Sequence, residues 1–360
     1  MSAEKQQNGT YKIRYRIGHK QFSKSGFKTK REAEAYEAEQ LRKIRKGSWT
    51  DPGTAKVTLT EVYEDWIESK QVSERTKFDY REVWRKAIAP TWAHVRLQDS
   101  TPATVSRWVN SISANYSPAR IAKAVTVLSQ VFDWAVSDLR IPENPVAKAK
   151  ALARGNFLPS AQPRDQKRYL SHKEVALLAE SAGASELMIL VLAYTGVRFG
   201  EVTALQVRDV DLLRNRLFVQ RAWSDVGGRL VEAPPKSKKA REIPIPTTLR
   251  EPLHKLVTNL RGPEALLFST KHGAPLRYSN WRQDVFDPAV KAAGLHGLTP
   301  HGLRHTYAAL VVQSGANPKV LQSTMGHSDI RLTLDTYGGL FGDDLDTLVA
   351  GLDKAIRGAV

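Results

Sequence analysis

The stretch Thr299–Leu310, TPHGLRHTYAAL, gathers His301, Arg304 and His305 at helical spacing. Residues three and four apart on a helix share one face. Three chemistries fit such a trio: a metal site, an internal polar network, or a clamp for an anionic group. In HExxH sites two histidines at this spacing bind zinc, and the Glu after the first one serves as base. Here Gly302 follows His301, and Arg304 stands between the histidines. A fixed positive charge on that face repels a cation and attracts an anion. The choice left is between network and clamp.

With 360 residues, 41% of them hydrophobic and 25% charged, the chain has the makings of two or three globular domains. It contains no cysteine, which excludes disulfides, thiolate zinc ligands and thiol nucleophiles and suits a reducing compartment. MSAEKQQNGT carries no apolar h-region, and the longest apolar run, Leu187–Tyr194, is too short for a bilayer. The expectation is a cytoplasmic protein without membrane contact. A net charge of +17 and a pI near 9.9 call for a polyanionic partner, nucleic acid first. Residues 1–50 hold 13 Lys and Arg against 5 Asp and Glu, so +8 of that charge lies in a short N-terminal segment.

In that segment, Thr10–Ile17 (TYKIRYRI) alternates apolar and basic residues, the period of a strand with one charged face. Gly18 offers a turn, KQFSKSGF reads as a second strand, and Thr29 with Glu32 forms a capping box for a helix to about Lys46. The module 1–50 could lay its basic face in a DNA groove. Residues 56–148 read as all-helical: Leu59, Val62, Tyr63, Trp66 and Ile67 share a face, as do Ile121, Val125, Leu128 and Phe132. A basic stretch with two prolines makes 149–168 the expected linker, and 169–360 forms the last domain with a C-terminal tail. Within it, Arg216–Pro246 reads as three short strands and the remainder as helices. The fold class is multidomain and mainly α, with two small antiparallel β-sheets.

Three further features join the opening trio. AYTGVRFGEVTAL puts Arg198 at a helix start, with Glu201 three residues on to brace it. NPKVLQSTMGHSDI ends a helix at Gly326 and presents His327 from a turn. RLTLDTYGGL sets Tyr337 at a helix end before Gly338-Gly339. In this order they resemble the tyrosine recombinases of the phage-integrase type. That family's pattern has an Arg in TG-x-R-x-x-E-x-x-x-L, a Lys in a β-hairpin turn, H-x-L-R-H, a G-H turn, and then Tyr about ten residues later. Arg198, Lys236, His301, Arg304, His327 and Tyr337 fill those places over about residues 170–340. Met325 replaces the usual Leu before G-H, and Lys238 and Lys239 compete with Lys236 for the lysine's place.

The resemblance implies a tyrosine-recombinase catalytic fold joined to a helical core-site-binding domain (56–148). A small arm-binding module (1–50), as in proteins resembling lambda integrase, precedes it. It also implies a reaction. Two arginine forks, Arg198 and Arg304, would hold the non-bridging phosphate oxygens, and donors aimed at developing charge are the largest catalytic term. Tyr337, with an ordinary pKa of about 10, would attack with His301 as proton acceptor. Lys236 would protonate the leaving 5′ oxygen, His327 would donate to the phosphate, and His305 would support from behind. The opening trio is thereby read as a clamp. Metal and cofactor are both expected to be dispensable, and no G-x-x-x-x-G-K-[ST] nucleotide loop is present. Asp343, Asp344 and Asp346 read as a solvated tail.

The partners implied are double-stranded DNA with core-type and arm-type sites, three further copies of the chain around a Holliday junction, a host DNA-bending protein and an excision factor. Two alternatives are a type IB topoisomerase-like strand transferase, which shares the Arg, Lys and Tyr logic, and a non-catalytic DNA-binding regulator. The latter accounts for the charge but not for six catalytic-type residues in family order.

Overall fold

The structure, a computed structural model, describes residues 3–17, 20–46, 49–54, 56–160, 168–236 and 239–340, with Val349, Asp353, Ile356 and Arg357 as isolated helical positions. Gly18, Lys238, residues 161–167 of the expected linker and nearly all of the C-terminal tail, including Asp343, Asp344 and Asp346, lie outside the described residues. The chain forms two compact units, residues 1–163 and 164–360.

The first unit opens with an antiparallel sheet in the order β1 (Glu4–Lys5), β2 (Tyr11–Ile17), β3 (Lys20–Phe27). The period-two pattern works as expected. Ile13 and Tyr15 turn inward to pack with Ala33 and Trp49, while Arg14 and Arg16 stay exposed. Helix α1 (Lys30–Arg45) starts at the Thr29–Glu32 capping box, in which each side chain satisfies the other's backbone N–H.

The helices that follow are α2 (Leu59–Ser69), α3 (Glu74–Val83), α4 (Ala89–Trp92), α5 (Pro102–Ser113), α6 (Pro118–Ser137) and α7 (Pro145–Leu152). They enclose a core built on Trp66, Trp92, Trp108 and Phe132. A π-turn, Trp84–Ile88, joins α3 to α4 just before Pro90, which has no N–H to offer the carbonyls of the preceding turn. The neighbouring carbonyls find other donors: Tyr116 Oη donates to Lys86 O at 2.7 Å and Trp108 Nε1 to Ala87 O at 3.1 Å. Helix α7 runs past residue 148, where the linker was expected to begin. Asn144 caps it through Val146 N–H, and Val146 and Ala149 are buried, so packing extends the helix.

The second unit contains α8 (His172–Ser181), the almost wholly apolar α9 (Glu186–Thr195) and the one-turn α10 (Phe199–Val202). Five strands come next: β4 (Val210–Asp211), β5 (Arg216–Val219), β6 (Ala222–Val226), β7 (Arg229–Ala233) and β8 (Arg241–Pro244). Arg216–Pro246 thus holds four strands rather than three. They divide between a β4-β5-β8 sheet and a separate β6-β7 hairpin, making three sheets in the described chain rather than two. The break comes at Gln220-Arg221, where Arg221 Nη1 turns to the buried Asp209 carboxylate at 2.6 Å. Helices α11 (Thr247–Asn259), α12 (Tyr278–Trp281), α13 (Asp287–Ala292), α14 (Pro300–Gln313), α15 (Pro318–Met325) and α16 (Ile330–Tyr337) complete the unit. Helix α9 lies at its centre, against α8, α14 and α11. Among the described residues no helix is long and apolar enough to cross a membrane.

Candidate active site

Helix α9 ends at Gly196, whose φ of +64° is a left-handed cap that glycine adopts at low cost. Space also demands glycine there, because a Cβ would lie 2.2 Å from Cδ1 of Tyr307 on α14. Two residues later Arg198 caps α10. Its backbone N–H donates to Glu201 Oε2 (2.8 Å) and its Nη1 to Glu201 Oε1 (2.9 Å), which is the brace expected from their spacing.

Glu201 is 1% exposed, and a buried carboxylate needs more than one partner. Arg241 of β8 supplies the rest: Nη1 donates to Oε1 (3.0 Å) and Nη2 to Oε2 (2.6 Å). Burial pulls the Glu201 pKa up, but the Arg241 hydrogen bonds and the charges of Arg241 and Arg198 hold it below the usual carboxylate value. Arg241 also donates from Nε to Thr324 O at the end of α15 (2.8 Å).

The opening stretch forms α14, with Thr299 as cap and Pro300 in the first turn. Arg304 is 2% exposed. It donates from Nη1 to Gly196 O (2.6 Å) and from Nη2 to Met325 O, so one guanidinium ties the ends of α9 and α15 together. Burial and the nearby Arg198 lower its pKa to about 9, which still leaves it charged at neutral pH. His301 is exposed in the first turn. Its ring meets that of the half-buried His305 edge-on, with centroids 4.8 Å apart.

At the far end of the site, His305 Nδ1 and Tyr337 Oη are hydrogen-bonded at 2.8 Å. Tyr337 is 2% exposed, and burial raises its pKa to about 12 against the opposing pull of Arg304 and Arg198. His305, expected to support, is thus hydrogen-bonded to the phenol, and His301, expected to accept the proton, packs its ring against His305. One helical turn along α14 brings His305 to the end of α16, while His301 faces solvent. His327 follows Gly326, a second left-handed cap, and its Nδ1 meets Thr333 Oγ1 at 2.8 Å. Burial and then the charges of Arg304, Arg198 and Arg241 lower its pKa to about 4, so it is neutral at pH 7.

Arg198, Glu201, His301, Arg304, His305, His327 and Tyr337 therefore converge. Lys236 does not join them through any hydrogen bond among the described residues. It is exposed, and it occupies the connection from β7 to β8, strands of different sheets, rather than a hairpin turn; the hairpin turn is Gly227-Gly228. Arg241 was missed because its stretch reads as one basic turn. The alternation Arg241, Ile243, Ile245 carried the signal, since it puts Arg241 on the inward face with two buried isoleucines.

Three guanidinium groups around one carboxylate, with a tyrosine held by a histidine, form a site built for an anion. Residues 168–340 match the phage integrase family, and residues 2–44 match an arm DNA-binding domain. The catalytic part of the chain, residues 168–340, belongs to the phage integrase family. An integrase of Mycobacterium phage D29 is 28% identical, the match covering 88% of this chain and 86% of that one. A XerC-like tyrosine recombinase of Caldanaerobacter subterraneus subsp. tengcongensis is 27% identical, over 86% of each chain. Among solved structures, the Tn1549 transposon integrase in complex with a circular intermediate DNA has the same fold. It superposes with a TM-score of 0.69 at 21% identity, covering 82% of this chain and 99% of that one. As a family member the chain is an enzyme, a site-specific recombinase of the tyrosine class.

Proposed function

We propose that this recombinase binds duplex DNA and cleaves and rejoins one strand at a time through Tyr337, so as to integrate or excise a mobile element. The observation that carries the reading is the Tyr337–His305 hydrogen bond beside the guanidinium cluster of Arg198, Arg241 and Arg304. A phosphodiester is held by positive charge while a phenol has a base within reach. In the step, the Tyr337 Oη–P bond forms as the P–O5′ bond breaks. The phenolic proton goes to the His301/His305 pair, and Lys236 gives a proton to the departing 5′ oxygen. In its Nε2–H tautomer, neutral His327 would accept from Thr333 Oγ1 at Nδ1 and donate from Nε2 to a phosphate oxygen. The product is a 3′-phosphotyrosine and a free 5′-hydroxyl. The ester conserves the bond, so rejoining needs no nucleotide.

Tyr337 is buried, so its attack on DNA requires the end of α16 to move outward. Module 1–50 would read arm-type sites, 56–148 core-type sites, and 169–360 would catalyse, within a tetramer exchanging strands through a Holliday junction. Work on DNA in a bacterial cytoplasm, aided by a host bending protein and an excision factor, belongs to the same reading.

The test is a denaturing gel of the protein with a nicked core site in excess EDTA. A denaturant-stable protein–DNA adduct is expected, absent in Tyr337→Phe and retained in Tyr307→Phe. Adduct that requires a divalent metal, or that survives Tyr337→Phe, would refute the mechanism.

A further inference from the structure

We infer that Arg241 is a positioning residue of the reaction, one that occupies Glu201 so that Arg198 stays available to the phosphodiester. The inference rests on the reading that Arg198 and Arg304 bind phosphate. The geometry is a saturated carboxylate. Oε1 accepts from Arg198 Nη1 and Arg241 Nη1, and Oε2 accepts from Arg198 N–H and Arg241 Nη2. Arg241 takes the share of Glu201 that Arg198 would otherwise fill with a two-pronged fork. Among the described residues Arg198 therefore spends a single guanidinium nitrogen on Glu201, and its side chain remains 25% exposed, while that of Arg241 is only 7% exposed. One arginine is sealed in and the other faces outward.

The balance of charge leads to the same place. Arg198, Arg241 and Arg304 stand against Glu201, which leaves two positive charges uncompensated at the site. Loss of Arg241 leaves one, and the buried carboxylate then draws Arg198 inward for its missing partners. Arg241 also fixes the height of the His327 turn. Its Nε holds Thr324 O, and a Cβ on Gly326 would come within 3.0 Å of its Cδ. The side chain thus joins three separate parts of the site: strand β8, the start of α10 and the end of α15.

The test compares Arg241→Met, Arg241→Lys and the double variant Glu201→Gln/Arg241→Met at saturating nicked core-site DNA, with DNA affinity measured separately. Arg241→Met should slow adduct formation by about ten- to a hundredfold, by analogy with the loss of a partner that orients a metal ligand, with DNA affinity unchanged. Arg241→Lys keeps the charge and should cleave faster than Arg241→Met. The double variant removes the carboxylate along with its partner, and it too should regain rate over Arg241→Met. A purely structural Arg241 would make the double variant no better than the single one, and that result overturns the inference. Should Arg241→Met fail to fold, the Lys and double variants carry the test, and inactivity of both in folded protein overturns it. Arg198→Ala separates the two readings. If it cleaves normally, the phosphate clamp itself fails. If it is inactive while Arg241→Met cleaves at the full rate, only the role of Arg241 falls.

Discussion

Replacing Gly196 by Ala adds one methyl group at the junction that carries Arg304, and the structure says how much that costs. The φ of +64° imposes about 1–2 kcal/mol on any residue with a Cβ. The new Cβ would lie 2.2 Å from Cδ1 and 2.8 Å from Cγ of Tyr307, a ring 5% exposed and packed on every side. Overpacking of that kind adds about 1–3 kcal/mol. Gly294 supplies the control, with a similar φ of +68° and nothing within 4 Å of its would-be Cβ. Gly294→Ala should therefore cost only the backbone part, about 1–2 kcal/mol, and Gly196→Ala about 2–5 kcal/mol. Urea unfolding of both variants, followed by tryptophan fluorescence, measures the difference. Cleavage should separate them as well. Relief of the clash moves the Gly196 carbonyl, which holds Arg304 Nη1 at 2.6 Å, so adduct formation slows in Gly196→Ala and not in Gly294→Ala. Equal destabilisation of the two variants would refute the steric argument. A destabilised Gly196→Ala that cleaves at the full rate would refute the link to Arg304.

Lys236→Ala should recover adduct formation on a substrate whose bridging 5′ oxygen is sulfur, since a thiolate leaves without a proton, whereas Arg198→Ala should not; equal rescue would remove the division of roles. His327 should make the fold acid-sensitive. Its pKa drops from 6.5 to about 4 on folding, so between those values the unfolded chain takes up a proton that the native chain refuses. Its contribution is therefore complete above pH 6.5 and declines as pH falls toward 4, and a His327→Gln variant that loses stability as steeply over that range would contradict this. Removing residues 1–50 should spare cleavage of an isolated core site and flatten the salt dependence of binding, by a slope of roughly 0.9 for each phosphate the module had neutralised. Footprints of the deletion variant identical to those of the full chain would leave the module without a site of its own.

The features legible in the sequence are those whose cause lies within a few residues. The Thr29–Glu32 box and the Arg198–Glu201 brace are i to i+3 relations, and local backbone geometry alone realises them. Inward alternation in β2 and the buried stripe of α6 follow in the same way from the periods of strand and helix. The order of the motifs was enough to indicate the family.

Which groups meet across the fold was decided by packing. The Glu201–Arg241 pair spans 40 residues, His305–Tyr337 spans 32, and Arg304–Gly196 spans 108. Local alternation turns Arg241 inward without naming its partner, and no local rule distinguishes His305 from His301. Those distinctions arise only when β8, α14 and α16 close on the end of α9 and each side chain must find a partner or remain in water. The fourth strand in Arg216–Pro246 has the same origin, since Asp209, buried elsewhere, draws Arg221 out of the ladder. Sequence sets which charges and nucleophiles the chain brings; tertiary burial decides which of them are held in place and which are left free to react.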